Sequence, residues 1–243
     1  MTPAMTSLPR PSEDETDRIP VAPGLAGRKA GRNDGHDTGR NGGGNVGYGV
    51  GRDAGRDGRV CGQRRPEAVR AAVAVLPGRG ESPELYDCLV DRLTLGGYAV
   101  SVVTDGGRRF GAVGEVRRPG LPFVLLGSDA GALSVLAMAG SPALRPDGLV
   151  LLGLPLLHEP VAGLPVEDPP PRVLPDLPIL LIHGQEDQVS PLPLVRMTTR
   201  TAPRTQLCVV PGGHSVLTGP GAHAVPGRIL LFLDELVGSW VEV

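Results

Sequence analysis

The predicted fold class is α/β: a doubly wound, mostly parallel sheet of about six strands at residues 67–243. Three observations predict it. Short apolar runs lack the alternation of a half-exposed strand, helical stretches separate them, and glycine or proline punctuates most of the joins. The 66 residues before it read as a leader with no fold of their own.

Val69 to Leu76 (VRAAVAVL) is nearly continuous in apolar residues and stops at Pro77-Gly78, as a strand buried on both faces would. Ser82-Pro83-Glu84 reads as a helix start, with Ser82 at the N-cap and Pro83 at the first helical position; Leu85, Cys88, Leu89 and Leu93 form its apolar stripe and Gly96-Gly97 its end. Tyr98 to Val103 is a second strand and Pro122 to Leu126 a third. Asp105 to Gly120 between them has too many glycines and charges for a helix, so a reduced crossover is expected. Ala130 to Ala139 is a helix of small residues packed behind the third strand. Gly148 to Leu152, Pro178 to Ile182 and Gln206 to Val210 are further strands, with helices at Leu192 to Thr201 and Pro226 to Trp240. Strands alternating with helices imply right-handed crossovers, which place the functional loops at the carboxyl ends of the strands.

The leader explains the unusual composition. Gly 36 and Pro 26 make about a quarter of the 243 residues, and the stretch from Arg28 to Arg59 holds only Val46, Tyr48 and Val50 as larger apolar residues. Such a segment cannot bury enough surface to offset the entropy of ordering. Residues 1–66 carry 11 Lys and Arg against 8 Asp and Glu, and the other 177 carry 13 against 18. Neither balance marks a nucleic-acid-binding domain. The Gly/Arg run resembles segments that associate loosely with RNA, but Asp34, Asp37, Asp53 and Asp57 interleave with its arginines and cancel much of the field.

Cys61, Cys88 and Cys208 lack paired metal spacing and suggest neither a disulfide scaffold nor a zinc site. The first 18 residues contain acids and prolines in place of a signal peptide's apolar stretch, and no run approaches a membrane span. A soluble, cytoplasmic protein is expected. Gly42-Gly43-Gly44 and Gly106-Gly107 lack the strand, spacing and helix of a nucleotide-binding loop, so no cofactor is implied.

Three strand ends carry candidate chemistry. In Gly127-Ser128-Asp129-Ala130-Gly131 a strand runs through a glycine-flanked turn into a helix, the pattern that lifts one side chain above a sheet. Asp129 is the centre; centring Ser128 would place Leu126, too large, at a small-residue position. Ile182 to Pro191 is a strand followed by a loop containing Asp187, and Val209 to Ser215 is a strand followed by Gly212-Gly213-His214. Each has a plainer reading: Asp129 or Asp187 as a helix-capping acid, His214 as a loop histidine bonded to backbone. His183, at the end of a buried strand, reads as structural, Cys88 as core, and His158, beyond another strand end, as a possible pocket-lining residue.

Taken together and in this order, the three motifs resemble the α/β-hydrolase family over about Val69 to Val243. The resemblance implies a small-molecule substrate, no cofactor and no metal, with Asp187 orienting His214 as general base. It also implies that Leu76 to Glu81 is the family's His-Gly loop, with Pro77 in place of histidine, so that backbone N–H groups near Gly78 and Arg79 and at Ala130 form an oxyanion site. Most members present serine where this chain presents Asp129. Its aspartate-bearing branches are similar to haloalkane dehalogenases and epoxide hydrolases, whose carboxylate attacks carbon to form an ester that water then cleaves. Those branches carry a helical cap, whereas Leu154 to Leu177 is short, includes Pro169-Pro170-Pro171 and has no Tyr or Trp. Three roles for Asp129 therefore stay open: nucleophile, base, or inert residue on a retained scaffold.

Overall fold

A computed structural model describes residues 68–104, 109–166 and 173–241. The expected leader at 1–66, Cys61 and the Pro169–Pro171 run lie outside the described residues. Six strands, β1 (Ala71–Leu76), β2 (Tyr98–Val102), β3 (Phe123–Ser128), β4 (Gly148–Leu152), β5 (Ile179–Gly184) and β6 (Thr205–Val210), form one sheet in the order β2-β1-β3-β4-β5-β6. Every neighbouring pair is parallel. Five helices connect and cover them: α1 (Asp87–Leu95), α2 (Arg109–Val116), α3 (Ala130–Ala139), α4 (Leu192–Arg200) and α5 (Val225–Val241).

The continuous apolar runs are explained by what each strand face meets. Along β1, Ala71, Val73 and Val75 join the core beneath α1 and α5, with Leu89, Leu93, Ile229, Phe232 and Leu233. Ala72, Ala74 and Leu76 face the other way, toward Val113 of α2, Ala132, Leu133 and Val135 of α3 and Val195 of α4. Side chains alternate between faces along a strand, so a sheet covered on both sides needs apolar residues at every position.

Several boundaries differ from expectation. β3 runs on to Ser128 and β5 to Gly184 because the ladder continues there, Ser128 opposite Leu152 and Gly184 opposite Val210. β1 begins at Ala71, where pairing with Tyr98 begins. The segment expected as a reduced crossover contains α2: Ala112, Val113 and Val116 lie on one side of it against the core, and that burial outweighs the poor propensity of Gly111 and Gly114. After Ser82 the chain first makes a tight 3₁₀ turn, Pro83–Tyr86, and Ser82 forms no side-chain cap. Cys88 is exposed rather than core, one position off the stripe through Leu85, Leu89 and Leu93.

The strand order reverses direction between β1 and β3. Loops leaving adjacent carboxyl ends at such a point diverge and open a crevice. The loop after β1 and the β3–α3 turn form that crevice here.

Candidate active site

Asp129 occupies the β3–α3 turn at φ +46° and ψ −120°, a conformation L residues rarely adopt. Its N–H donates to Leu152 O (2.9 Å) and its carbonyl accepts from Ala132 N–H (2.9 Å), so the turn is tied to β4 on one side and to α3 on the other. The flanking glycines are required sterically. A Cβ on Gly131 would collide with Leu76 O, and one on Gly127 with Gly131 O. Ser128 remains within β3 and donates its hydroxyl to Glu81 Oε1 (2.9 Å).

Asp129, Asp187 and His214, 85 residues apart at their extremes, meet at the carboxyl end of the sheet. His214 Nε2 lies 3.0 Å from Asp129 Oδ1 and Nδ1 lies 2.8 Å from Asp187 Oδ2. Burial opposes a charge on this ring, but the hydrogen bonds and negative charges of the two aspartates prevail and push its pKa up to about 9. Both aspartates therefore favour the protonated form of the ring.

The loop after β1 supplies a feature that sequence reasoning missed. Arg79, expected to contribute only backbone, also folds its side chain over Asp129: Nε donates to Oδ2 (2.7 Å) and Nη2 to Oδ1 (2.5 Å), while the backbone N–H donates to Oδ2 (3.0 Å). Both side chains are buried, Arg79 at 7% and Asp129 at 4% exposure. Burial would raise the Asp129 pKa, but Arg79, His214 and the backbone donors hold it well below the usual carboxylate range. Arg79 Nη1 donates in the opposite direction, to Glu159 O (3.1 Å) and Leu164 O (2.9 Å) in the β4–β5 connection. The only sequence signal for this was a charged residue inside the loop expected to line the site.

Gly78 N–H is not aimed at Asp129. It donates to Glu81 Oε2 (2.6 Å), which also accepts from Tyr86 Oη (2.5 Å). Burial, then the Glu81 carboxylate, raises the Tyr86 pKa and keeps that phenol a donor. Of the three expected oxyanion positions, Arg79 directs its N–H at the Asp129 carboxylate itself, Ala130 opens α3 beside it, and Gly78 shapes the loop; a Cβ on Gly78 would stand 2.8 Å from Asp129 Cβ.

Asp187 is held from its own loop, Oδ1 accepting from Val189 N–H (2.8 Å) and Ser190 N–H (3.0 Å). The Ser190 hydroxyl donates to Leu154 O (2.8 Å) and accepts from Leu156 N–H (2.7 Å), fastening the acid loop to the end of β4. His183 is fully buried with Nε2 2.8 Å from Ser190 O, and burial lowers its pKa, so the neutral ring donates from Nε2. His158 is exposed and does not line the site.

A cavity of about 320 Å³ opens above Asp129 and His214, walled by Arg79, Val161, Ala162 and Thr218. A larger groove of about 560 Å³, bordered by Pro178, Arg204 and Trp240, lies at the opposite end of the strands, away from all six candidates. Among the described residues no group of three or more His, Cys, Asp or Glu is placed to hold a metal ion. Also among them, no helix is long and apolar enough to cross a membrane.

Solved structures similar to the chain include a lipase in its open form (TM-score 0.57, 18% identity, covering 70% of this chain and 91% of that one). A thioesterase of the prodiginine pathway in Streptomyces coelicolor matches with a TM-score of 0.54 and 20% identity, over 68% of this chain and 91% of that one. A monoacylglycerol lipase from Paleococcus ferrophilus matches with a TM-score of 0.53 and 16% identity, over 70% and 97%. The chain has the α/β-hydrolase fold. No family model and no curated protein matches it. Within this α/β-hydrolase fold, Asp129 is the residue at the positive-φ turn between β3 and α3.

Proposed function

We propose that residues 67–243 form a small-molecule hydrolase in which Asp129 attacks carbon and becomes a covalent aspartyl ester. The observation that carries this reading is the contact of His214 with Asp129 on one ring nitrogen and with Asp187 on the other. An ionised carboxylate needs no base to act as a nucleophile. As the Oδ1–carbon bond forms, the leaving group departs with its electron pair. Asp129 loses its charge, His214 loses one of the two anions that kept it protonated, and its pKa falls. Having released its proton, His214 can take one from a water attacking the Asp129 ester carbonyl. The N–H of Arg79, which already reaches Oδ2, and that of the neighbouring Ala130 would hold the oxyanion formed there. Collapse releases the alcohol and restores the carboxylate and the imidazolium.

Asp187 acts on this reading as the positioning residue for His214. The substrate is a small molecule, on the volume of the cavity, and neither nucleic acid nor a cofactor takes part. A cytoplasmic setting belongs to the same reading and rests on the sparse cysteines.

A second reading is favoured by Arg79: a carboxylate already saturated with donors suits a catalytically silent binding or scaffold protein. Single turnover in ¹⁸O water with panels of esters, haloalkanes and epoxides, followed by mass analysis of the Asp129 peptide, separates the two. Label in that peptide supports the hydrolase. Silence across all panels, or turnover that survives both Asp129→Asn and His214→Ala, removes it.

A further inference from the structure

The chain after β4 returns beside the cavity as a small hairpin. Ala162 and Gly163 both take positive φ, +51° and +76°, and Val161 and Leu164 on either side exchange backbone hydrogen bonds of 3.0 and 2.9 Å, a two-residue turn between two short arms. Val161 and Ala162 wall the cavity, and the tip rests on the loop after β1: a Cβ on Gly80 would stand 3.5 Å from Ala162 Cβ. Residues 157–165 are exposed apart from half-buried Val161. On either side the chain is secured, Leu156 N–H to Ser190 Oγ and Val166 against the core. Between them, among the described residues, the only hydrogen bonds to the rest of the domain come from Arg79 Nη1, to Glu159 O and Leu164 O.

We infer that residues 157–165 are a lid and that Arg79 is its latch, so that the charge on Asp129 sets whether the lid is held. One planar guanidinium carries the coupling on its two edges. Nε and Nη2 fork onto the Asp129 carboxylate, which fixes the plane of the group and presents Nη1 to the two lid carbonyls. A hairpin with so few buried contacts opens at low cost unless something ties it. When Asp129 is neutral, the fork loses its charge-assisted bonds and a guanidinium that is 7% exposed is left without an anion. It regains solvation by turning outward, and the two lid carbonyls lose their donor.

The latch stands on the resting geometry; its part in turnover rests on the hydrolase reading above. While Asp129 is ionised, the lid is held beside the cavity. Once Asp129 is esterified the lid is released, at the stage when a leaving group has to depart and water has to enter. Hydrolysis returns the carboxylate, the fork re-forms and the lid is held again. His214 stands outside this coupling: its ring nitrogens contact Asp129 and Asp187 and form no hydrogen bond with the lid, so its removal leaves the fork and the latch in place.

Native-state hydrogen exchange on the full chain, without substrate, reads the latch at the Val161 and Leu164 amides, with the β4 amides as reference for global unfolding. In the wild type the two lid amides are expected to exchange by an opening of their own, at least about 10-fold faster than β4. Asp129 forms no hydrogen bond with the lid, yet Asp129→Asn should speed the lid amides a further 10-fold to 100-fold, roughly, relative to β4. Arg79→Lys, which keeps a cation for Asp129 but removes the fork, should do the same. His214→Ala should change the ratio by less than about 2-fold. The proposal is overturned by wild-type lid amides that exchange only with β4, by an unchanged ratio in Asp129→Asn or Arg79→Lys, or by a rise in His214→Ala equal to that in Asp129→Asn. None of these results bears on the ¹⁸O label in the Asp129 peptide, whose absence overturns the hydrolase reading and leaves the latch to be decided by exchange. If Asp129→Asn does not fold, the wild-type ratio and Arg79→Lys still decide.

Discussion

Two carboxylates flank His214, and they are held in opposite ways. Asp187 is gripped by backbone N–H groups two and three residues further along its own loop, and the Ser190 hydroxyl pins that loop to β4. Asp129 is held mainly by a side chain that reaches across from a different loop, 50 residues earlier. A backbone cradle cannot let go without local unfolding, whereas an arginine can change rotamer. The contrast separates a permanent orienting anion from one that can be released.

The largest expected effect tests that division directly. Asp129→Asn keeps the shape of the turn but removes the charge, and any hydrolysis should fall by about 10⁴-fold in kcat, read in single-turnover assays. Next in size, Arg79→Met leaves a buried carboxylate without its fork and should destabilise the domain by about 3–5 kcal/mol in denaturant unfolding. A loss below about 1 kcal/mol would mean that His214 and the backbone alone suffice for Asp129, and the two carboxylates would then be held alike.

Both carboxylates also act on the histidine, and pH reads their joint influence. The folded-state pKa of His214 is raised from 6.5 to about 9, so its contribution is complete below pH 6.5 and is lost as pH rises through about 9. Unfolding free energy should fall by roughly 3 kcal/mol across that window, and by clearly less in Asp129→Asn, where one anion is gone. The Asp129 shift runs the other way: its contribution is present above its ordinary value of 3.8 and is lost as pH falls below it. The smallest effect belongs to the fixed side: Ser190→Ala removes two hydrogen bonds between the acid loop and β4 and should cost about 1–3 kcal/mol by thermal unfolding.

The legibility of these parts follows their physics. Both-face burial writes itself as unbroken apolar runs, so β1, β4 and β5 could be read directly, and the Asp129, Asp187 and His214 loops followed from strand ends. α2 could not be read, because its stability comes from what Ala112, Val113 and Val116 touch, which local propensity does not contain. Cys88 was misplaced because one residue along a helix turns a side chain by about 100°, enough to move it from stripe to surface. Arg79 stayed hidden for a related reason: a long side chain on a loop carries no periodicity, and its partner is fixed only once β1 and β3 lie side by side.

The Arg79–Asp129 pair has a consequence for how this chain can change over generations. Replacing Asp129 by serine alone would strand a guanidinium that is 7% exposed, and replacing Arg79 alone would strand a carboxylate that is 4% exposed. Either intermediate carries a buried, uncompensated charge, costing about 3–5 kcal/mol against a typical total stability of 5–15. A change to serine at this turn therefore passes through a destabilised sequence unless both positions change together. The ion pair acts as a ratchet against single substitutions at either position.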